Sequence, residues 1–250
     1  MGPAHPATSW QWASNHAIHR SAQASSDTVS PSRVCEGGLP VQTRSVETRE
    51  TMLLAAAQEF DEHGYTGSSV QDIADRLGKT KGALGYHFPS KSSMALAIVE
   101  RFYGQLPGMV ELYRAGGSMD VSSVVALSLD VARQFRDDVM VRAAVRLQRD
   151  AETIEVPLPT PYVNWIALIE SGLRDAELKG QLMPDVDVAA TARVAVAGFF
   201  GVQQVAATLG HRAELVNWVL DLWRVILPAI VGDAAKDTLS DAEARVLAPH

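Results

Sequence analysis

Between Gly64 and Ser90 the chain stops a helix and restarts it again and again, each time with a residue suited to the purpose. Upstream, Val46, Leu53, Ala56, Ala57 and Phe60 recur at three-to-four spacing, the period of a helix with one buried face, and Gly64 follows as its C-terminal stop. Ser69 then stands as an N-cap with Asp72 three residues later, the pattern of a capping box, ahead of the apolar positions Val70, Ile73, Ala74 and Leu77. Gly78 breaks that helix. Thr80 caps a second short helix running from Lys81 to about Phe88, and Pro89-Ser90 opens a longer one. Short helices joined by a glycine turn in this order predict a helix-turn-helix.

The rest of the chain reads as helix too, so the expected fold class is all-α. About five further helices are predicted over residues 120–137, 139–151, 160–179, 187–209 and 212–230, punctuated by Gly116-Gly117, Pro157 and Pro159, Gly180 and Pro184, and Gly210. No alternating strand pattern and no internal repeat is found. With 250 residues, 47% of them hydrophobic, the chain can hold one small domain and one larger one. The expected division is a disordered N-terminal tail over 1–43, poor in periodic apolar positions, and a helix-turn-helix domain over 44–92. A ligand-binding and dimerisation domain over 93–231 and a C-terminal tail over 232–250 follow. Trp10 and Trp12 are isolated aromatics in the first tail, and its few cations, Arg20 and Arg33 with Arg44 just beyond, give it little of a minor-groove arm.

The last two long helices are apolar on more than one face. In the penultimate one, Val188, Ala192, Ala195, Phe199, Val202 and Leu209 mark one side, and Val194, Ala197, Phe200 and Gly201 mark another. The final one carries Trp218, Leu222, Val225 and Ile226, with Leu220, Trp223 and Leu227 opposite. A helix apolar all round has to be covered all round. The expected cover is a second copy of the chain, in a two-fold four-helix interface, with an ordinary buried helix pair as the alternative.

Composition excludes several classes. The single cysteine, Cys35, rules out an internal disulfide framework, and no Cys/His cluster has zinc-ligand spacing. No apolar run reaches the length of about 20 residues needed to span a bilayer, and no basic-then-apolar leader is present, so the expectation is a cytoplasmic protein with no membrane partner. His63 and His87 lack a second ligand or carboxylate at recognisable spacing and no nucleophile motif occurs, so neither an enzyme, nor a metal site, nor a cofactor is expected. The net charge of −7 argues against nucleic acid until its distribution is read. Arg76, Lys79, Lys81 and Lys91, with His87, occupy a stretch that has no acidic residue.

The stretch Ser68–Lys91, SSVQDIADRLGKTKGALGYHFPSK, resembles the DNA-binding domain of the tetracycline-repressor family: a short helix, a Gly turn, a Lys/Gly-rich recognition helix, Tyr-His-Phe and a Pro-Ser-Lys helix start. The resemblance implies operator DNA as partner, with Ser69, Thr80, Lys81, Tyr86, His87 and Lys91 as contacts, mostly to the DNA backbone. The physics agrees. The N-terminus of a recognition helix presents unpaired N–H groups to phosphates or base edges. Thr80 and Lys81 occupy that end, Gly82-Ala83 lets the backbone come close, and the Tyr86 and His87 side chains can hydrogen-bond phosphate oxygens. Phe88 reads as core. Gly85 departs from the family, which usually has an aromatic there, and it costs about 1 kcal/mol of helix propensity against alanine.

In the second domain, Val141, Ala144, Val145 and Gln148 form one stripe, and a glutamine on an apolar stripe needs a partner. Tyr162 and Trp165 are three apart, with Ile166 and Ile169 continuing their face, and Tyr103 falls in another apolar segment. Two phenols, an indole and an amide turned toward one core suggest a mainly apolar ligand pocket, or else separately satisfied core residues. The stretches FRDD (135–138), RLQRD (146–150), LPTPYVNWI (158–166) and FFGVQQVAATLGHRAELV (199–216) are similar to the γ-butyrolactone autoregulator receptors, repressors that sense bacterial hormones and control antibiotic biosynthesis. That likeness implies a homodimeric repressor of a palindromic operator. It also implies a hormone (γ-butyrolactone, butenolide or furan-type) held by Trp165, Tyr103, Tyr162 and Gln148. An antibiotic or pathway intermediate as the effector is the alternative.

Overall fold

The computed structural model describes residues 41–114, 116–159 and 162–247. The chain divides into two compact units, Met1–Thr48 and Arg49–His250; of the first, only the opening of one helix, from Val41, is described. The tail expected over 1–43 therefore lies outside the described residues up to 40, as do Trp10, Trp12 and Cys35. The described residues carry no strand. Their α-helices are α1 (Val41–Gly67), α2 (Val70–Arg76), α3 (Lys81–His87), α4 (Lys91–Leu112), α5 (Val121–Asp137), α6 (Val139–Arg149), α7 (Val163–Leu178), α8 (Val188–Thr208), α9 (Leu215–Val231) and α10 (Ala235–Leu247).

The helix ends are where the residues put them. Gly64, at φ 73° and ψ 177°, kinks α1 out of helical geometry near its end. The Ser69 hydroxyl accepts from Asp72 N–H at 3.1 Å while Asp72 accepts from Ser69 N–H at 2.9 Å, the reciprocal capping box read from the sequence. After α2, Lys79 N–H reaches Ala74 C=O at 2.9 Å and Gly78 N–H reaches Asp75 C=O at 3.0 Å, with Gly78 at φ 60°. That pair of bonds needs a left-handed residue at the position Gly78 holds. Ser90 and Ser93 form a second capping box at the start of α4. In the helix-turn-helix, Leu53, Phe60, Ile73, Leu84, Phe88 and Met94 are all buried.

In the larger part, α5 is the central helix, packed against α6, α7, α8, α9 and α10. Its buried side chains include Val124, Leu127, Val131 and Phe135. Each such side chain contributes roughly 1.5–3 kcal/mol of burial energy. Of the stretch read as a tail over 232–250, residues 232–247 instead supply a turn of 3-10 helix and then α10. Arg245 donates to the Ser123 hydroxyl and to Asp120, each at 2.8 Å, and Arg133 donates to Val246 C=O at 2.6 Å. Only Ala242 and Val246 of α10 are buried, too few apolar positions to announce a docked helix from sequence. Two segments, α8 and residues 212–247, prove long and apolar enough on average to cross a membrane by length and composition. The expectation that no apolar stretch reaches that length is thereby corrected, although core helices of soluble proteins meet the same criterion.

At Gly172 on α7 the neighbouring side chains come very close. A Cβ there would lie 2.7 Å from Val124 Cγ2 and 3.3 Å from Met119 Sδ. Val124 is fully buried and stiff at χ1, so it cannot turn away. Gly172→Ala is expected to lower stability by about 1–3 kcal/mol despite its better helix propensity, as a shifted midpoint in urea unfolding. A midpoint equal to or above that of the parent chain would refute this packing.

Candidate functional site

The first site is the face of α3. Thr80 caps it through its hydroxyl, which accepts from Ala83 N–H at 3.3 Å, and Ser69 caps α2 on the same side of the turn. Ser69, Thr80, Lys81, Gly82 and Tyr86 are exposed, and His87 is half-buried. Tyr86 is 85% exposed, with its ring edge-on to His87 at 5.1 Å, so its hydroxyl is held out on an aromatic support. A Cβ on Gly82 would meet nothing nearer than the Thr80 hydroxyl at 3.9 Å, and one on Gly85 would meet nothing within 4 Å. Among the described residues no packing therefore demands either glycine. They leave the surface of α3 low, open to close approach by another backbone. Phe88 is buried, as its reading as core required.

The basic stretch is less free than its sequence suggests. Arg76 donates to Glu59 at 2.9 Å and to Glu62 at 2.6 Å, tying α2 to α1. Lys91 turns inward: its ammonium donates to Tyr65 C=O at 2.7 Å and Ser68 C=O at 3.0 Å and lies 4.0 Å from the Tyr65 ring centroid. The residue assigned to phosphate thus ties down the end of α1, where Tyr65 C=O otherwise has a long turn bond from Ser68 N–H at 3.4 Å. Lys79 and Lys81 are the cations of the stretch that are exposed and, among the described residues, have no ion-pair partner. His63, read as lacking a carboxylate, has Glu59 2.9 Å away on the next turn of the helix. With Glu62 the three could hold a metal ion, but the Arg76 guanidinium already supplies positive charge to both carboxylates.

The second site is the core around Trp165. The Gln148 side-chain amide donates to the Tyr103 hydroxyl at 2.6 Å and to Pro159 C=O at 3.3 Å. Burial, the largest influence, holds the Tyr103 phenol above its ordinary pKa; the hydrogen bond from Gln148 opposes it and the nearby Tyr162 adds to it. At neutral pH the phenol keeps its proton and can pass a hydrogen bond onward. Trp165 is buried, with Phe102 beside it at 6.3 Å between ring centroids. It lines an apolar cavity with Leu127, Val131, Ile169, Phe199 and Phe200. The cavity volume is about 30 Å³, room for about one or two water molecules.

Of the four predicted residues only Trp165 is among those lining that cavity; Tyr103 and Gln148 are bonded to each other, and Tyr162 is near Tyr103. Tyr162 precedes α7 at φ 67°, a left-handed conformation, and so does not share a helical face with Trp165. Its ring packs edge-on against Phe200, 4.7 Å between centroids, and it is 38% exposed. Sequence reading missed Ser128 and Trp223, which close the cavity's far wall; the Trp223 indole donates to the Ser128 hydroxyl at 2.6 Å. The signal was there: Ser128 is a polar residue amid buried neighbours on α5, as Gln148 is on α6.

The contrast between the two lysines is measurable. Lys91→Ala should lower stability by about 1–3 kcal/mol in urea unfolding, because it leaves buried carbonyls without the ammonium donor. Lys81→Ala should leave stability within about 0.5 kcal/mol and weaken binding to operator DNA, reducing the salt slope by about one unit. If Lys91→Ala is the harmless one in unfolding, the inward geometry of its ammonium is wrong.

Known proteins resemble the chain over most of its described length. Residues 52–98 match the tetR family of bacterial regulatory proteins, and residues 118–232 match the tetracyclin repressor-like C-terminal domain. The chain is 33% identical over 189 residues to the A-factor receptor protein of Streptomyces griseus, covering 76% of this chain and 66% of that receptor's length. A solved structure that concerns the control of antibiotic production by bacterial hormones is 42% identical. It covers 75% of this chain and 99% of its own, at a TM-score of 0.67. CprB of Streptomyces coelicolor, solved in complex with its operator sequence, is 26% identical over 82% of this chain and all of its own, at a TM-score of 0.72. The chain belongs to the tetR family of bacterial regulatory proteins.

Proposed function

We propose that the chain is a homodimeric repressor that grips a palindromic operator with α3 and releases it when a bacterial hormone enters the core beside Trp165. The genes it controls are those of antibiotic or other secondary metabolite production, by analogy with what its relatives are described as doing. It acts by binding alone, as regulators of this family do, and it works in the cytoplasm, where the operator is. The observation that carries the reading is the Gln148–Tyr103 pair, a neutral amide and a neutral phenol bonded to each other within an apolar core. Such a pair can exchange its mutual bond for bonds to a ligand carbonyl. Among the described residues lining the cavity none is Arg or Lys, which favours an uncharged lactone or butenolide over a furan carboxylate.

Release follows from where Tyr103 sits. It lies on α4, whose first residue, Lys91, holds the end of α1. A hormone is many times larger than about 30 Å³, so it binds only a conformation in which the walls have parted. Parting them moves α4, and with it the recognition helices. By reciprocity, operator DNA weakens hormone binding by the same factor.

The dimer has its surface. Val194 is 60% exposed, Val205 49% and Val225 78%, all on α8 and α9, whose other sides are buried in the core. An isologous pairing of these two helices from each copy sets the two recognition helices about one turn of DNA apart.

Two experiments test the proposal. In a gel shift titrated with a γ-butyrolactone, Trp165→Ala should still bind operator but no longer release it. Gln148→Ala should need roughly tenfold more ligand, the loss of one hydrogen bond, and Tyr162→Phe a similar increase. Release of all three variants at the parent's ligand concentration would place the effector elsewhere. In sedimentation, the parent chain should be a dimer at micromolar concentration, and Val225→Glu combined with Val194→Glu should shift it toward monomer and weaken operator binding. A parent chain that sediments as a monomer would end the dimer reading.

A further inference from the structure

A second cleft, of about 300 Å³, is lined by α1, α6, the end of α8 and the turn before α9, and its chemistry is the opposite of the apolar core's. Four of its side chains are arginines. Arg142, Arg146 and Arg149 follow one another along a single face of α6, and Arg212 opens the 3-10 turn Arg212–Glu214. Among the described lining residues the one carboxylate is Asp61. Its side chain accepts from Arg142 Nε at 2.8 Å and stands 3.7 Å from Arg212 Nη1, while its backbone carbonyl takes Arg146 Nη1. Arg149 has no hydrogen-bond or ion-pair partner among the described residues and is exposed. Asp150, next along, is occupied by Tyr65 N–H at 3.0 Å.

Four guanidinium groups against one carboxylate give this lining an excess of positive charge, with Asp137 near Arg142 and Asp150 near Arg146 as the next carboxylates, in a chain whose net charge is −7. Like charges gathered on one concave surface repel, and water offsets that repulsion less in a cleft than on an open face. The planar fork of arginine matches a carboxylate or phosphate with two parallel hydrogen bonds. Gln203 and Gln204 add neutral amide donors to the same lining. We infer that this cleft is a second ligand site, for a small multivalent oxyanion of the polyphosphate or polycarboxylate kind, separate from the apolar core. Because Asp61 belongs to α1, an anion there competes with α1 for Arg142 and Arg212.

The test uses the full-length protein without DNA or hormone, so its outcome is independent of the repressor reading. Inorganic pyrophosphate and citrate are titrated separately in a calorimeter at fixed ionic strength. Saturable binding of one anion per protomer is expected, with the tighter of the two identifying phosphate or carboxylate chemistry. Arg149→Ala should weaken that binding about tenfold, the loss of one charge-assisted hydrogen bond, and Arg149→Glu should abolish it. Thermal melting of both variants should match the parent, since Arg149 is exposed and unpartnered within the described structure. Absence of saturable binding by either anion at millimolar concentration would overturn the inference. So would an unchanged affinity in Arg149→Ala, or an equal weakening in Lys79→Ala, which would put the anion on the helix-turn-helix.

Discussion

The end of α1 is the joint on which the molecule depends. Within five residues, Asp61 is held by Arg142 and Arg146, and Tyr65 gives its N–H to Asp150, its hydroxyl to Glu155 and its carbonyl to Lys91. Burial, with the carboxylate of Glu155, lifts the Tyr65 phenol to about 12, so it remains a donor throughout the physiological range. A helix terminus normally turns its orphan carbonyls to water or to a local cap. Here they are bonded by Lys91 from α4, so the helix-turn-helix is fastened by the very backbone groups that end its first helix.

That arrangement places the two halves of the proposed switch in one hydrogen-bond circuit. Asp150 and Glu155 lie on the segment after α6, and the same segment gives Pro159 C=O to Gln148. Gln148 in turn holds Tyr103. A change at the Gln148–Tyr103 pair thus reaches the end of α1 by two covalent routes, one along α4 and one along residues 149–159. Coupling of this kind needs two discrete arrangements of packed elements rather than a wire of contacts, and α4 with its two anchored ends is the element that can provide them.

Much of this was legible in the sequence, because caps are local chemistry. Ser69 with Asp72, Gly78, Thr80 and Ser90 each fix a helix end by bonds within a few residues, and each stands where it was read. The pairing of Gln148 with Tyr103 was legible only as a demand: an amide on an apolar stripe must have a partner, but which one is settled by how α4 and α6 cross. Three features were not legible. Lys91 turns inward because the end of α1 is folded back beside it, a tertiary fact. Tyr162 leaves the α7 face because its backbone is left-handed, and neither its residue type nor its spacing signals that. The helix α10 is held mainly by Arg133 and Arg245, surface-type residues whose partners lie more than a hundred residues away.

The near-closure of the core beside Trp165 sets the terms on which such a sensor would operate. When the competent conformation is a small fraction of the population, the concentration needed for half-response exceeds the intrinsic dissociation constant by the reciprocal of that fraction. The threshold is then a property of how well Phe199, Phe200 and Trp223 pack, as much as of any contact to the signal. Because those side chains also line the cavity, drift in them would move the threshold and the fit to the signal together. Sensitivity and specificity would thereby be coupled in such a sensor.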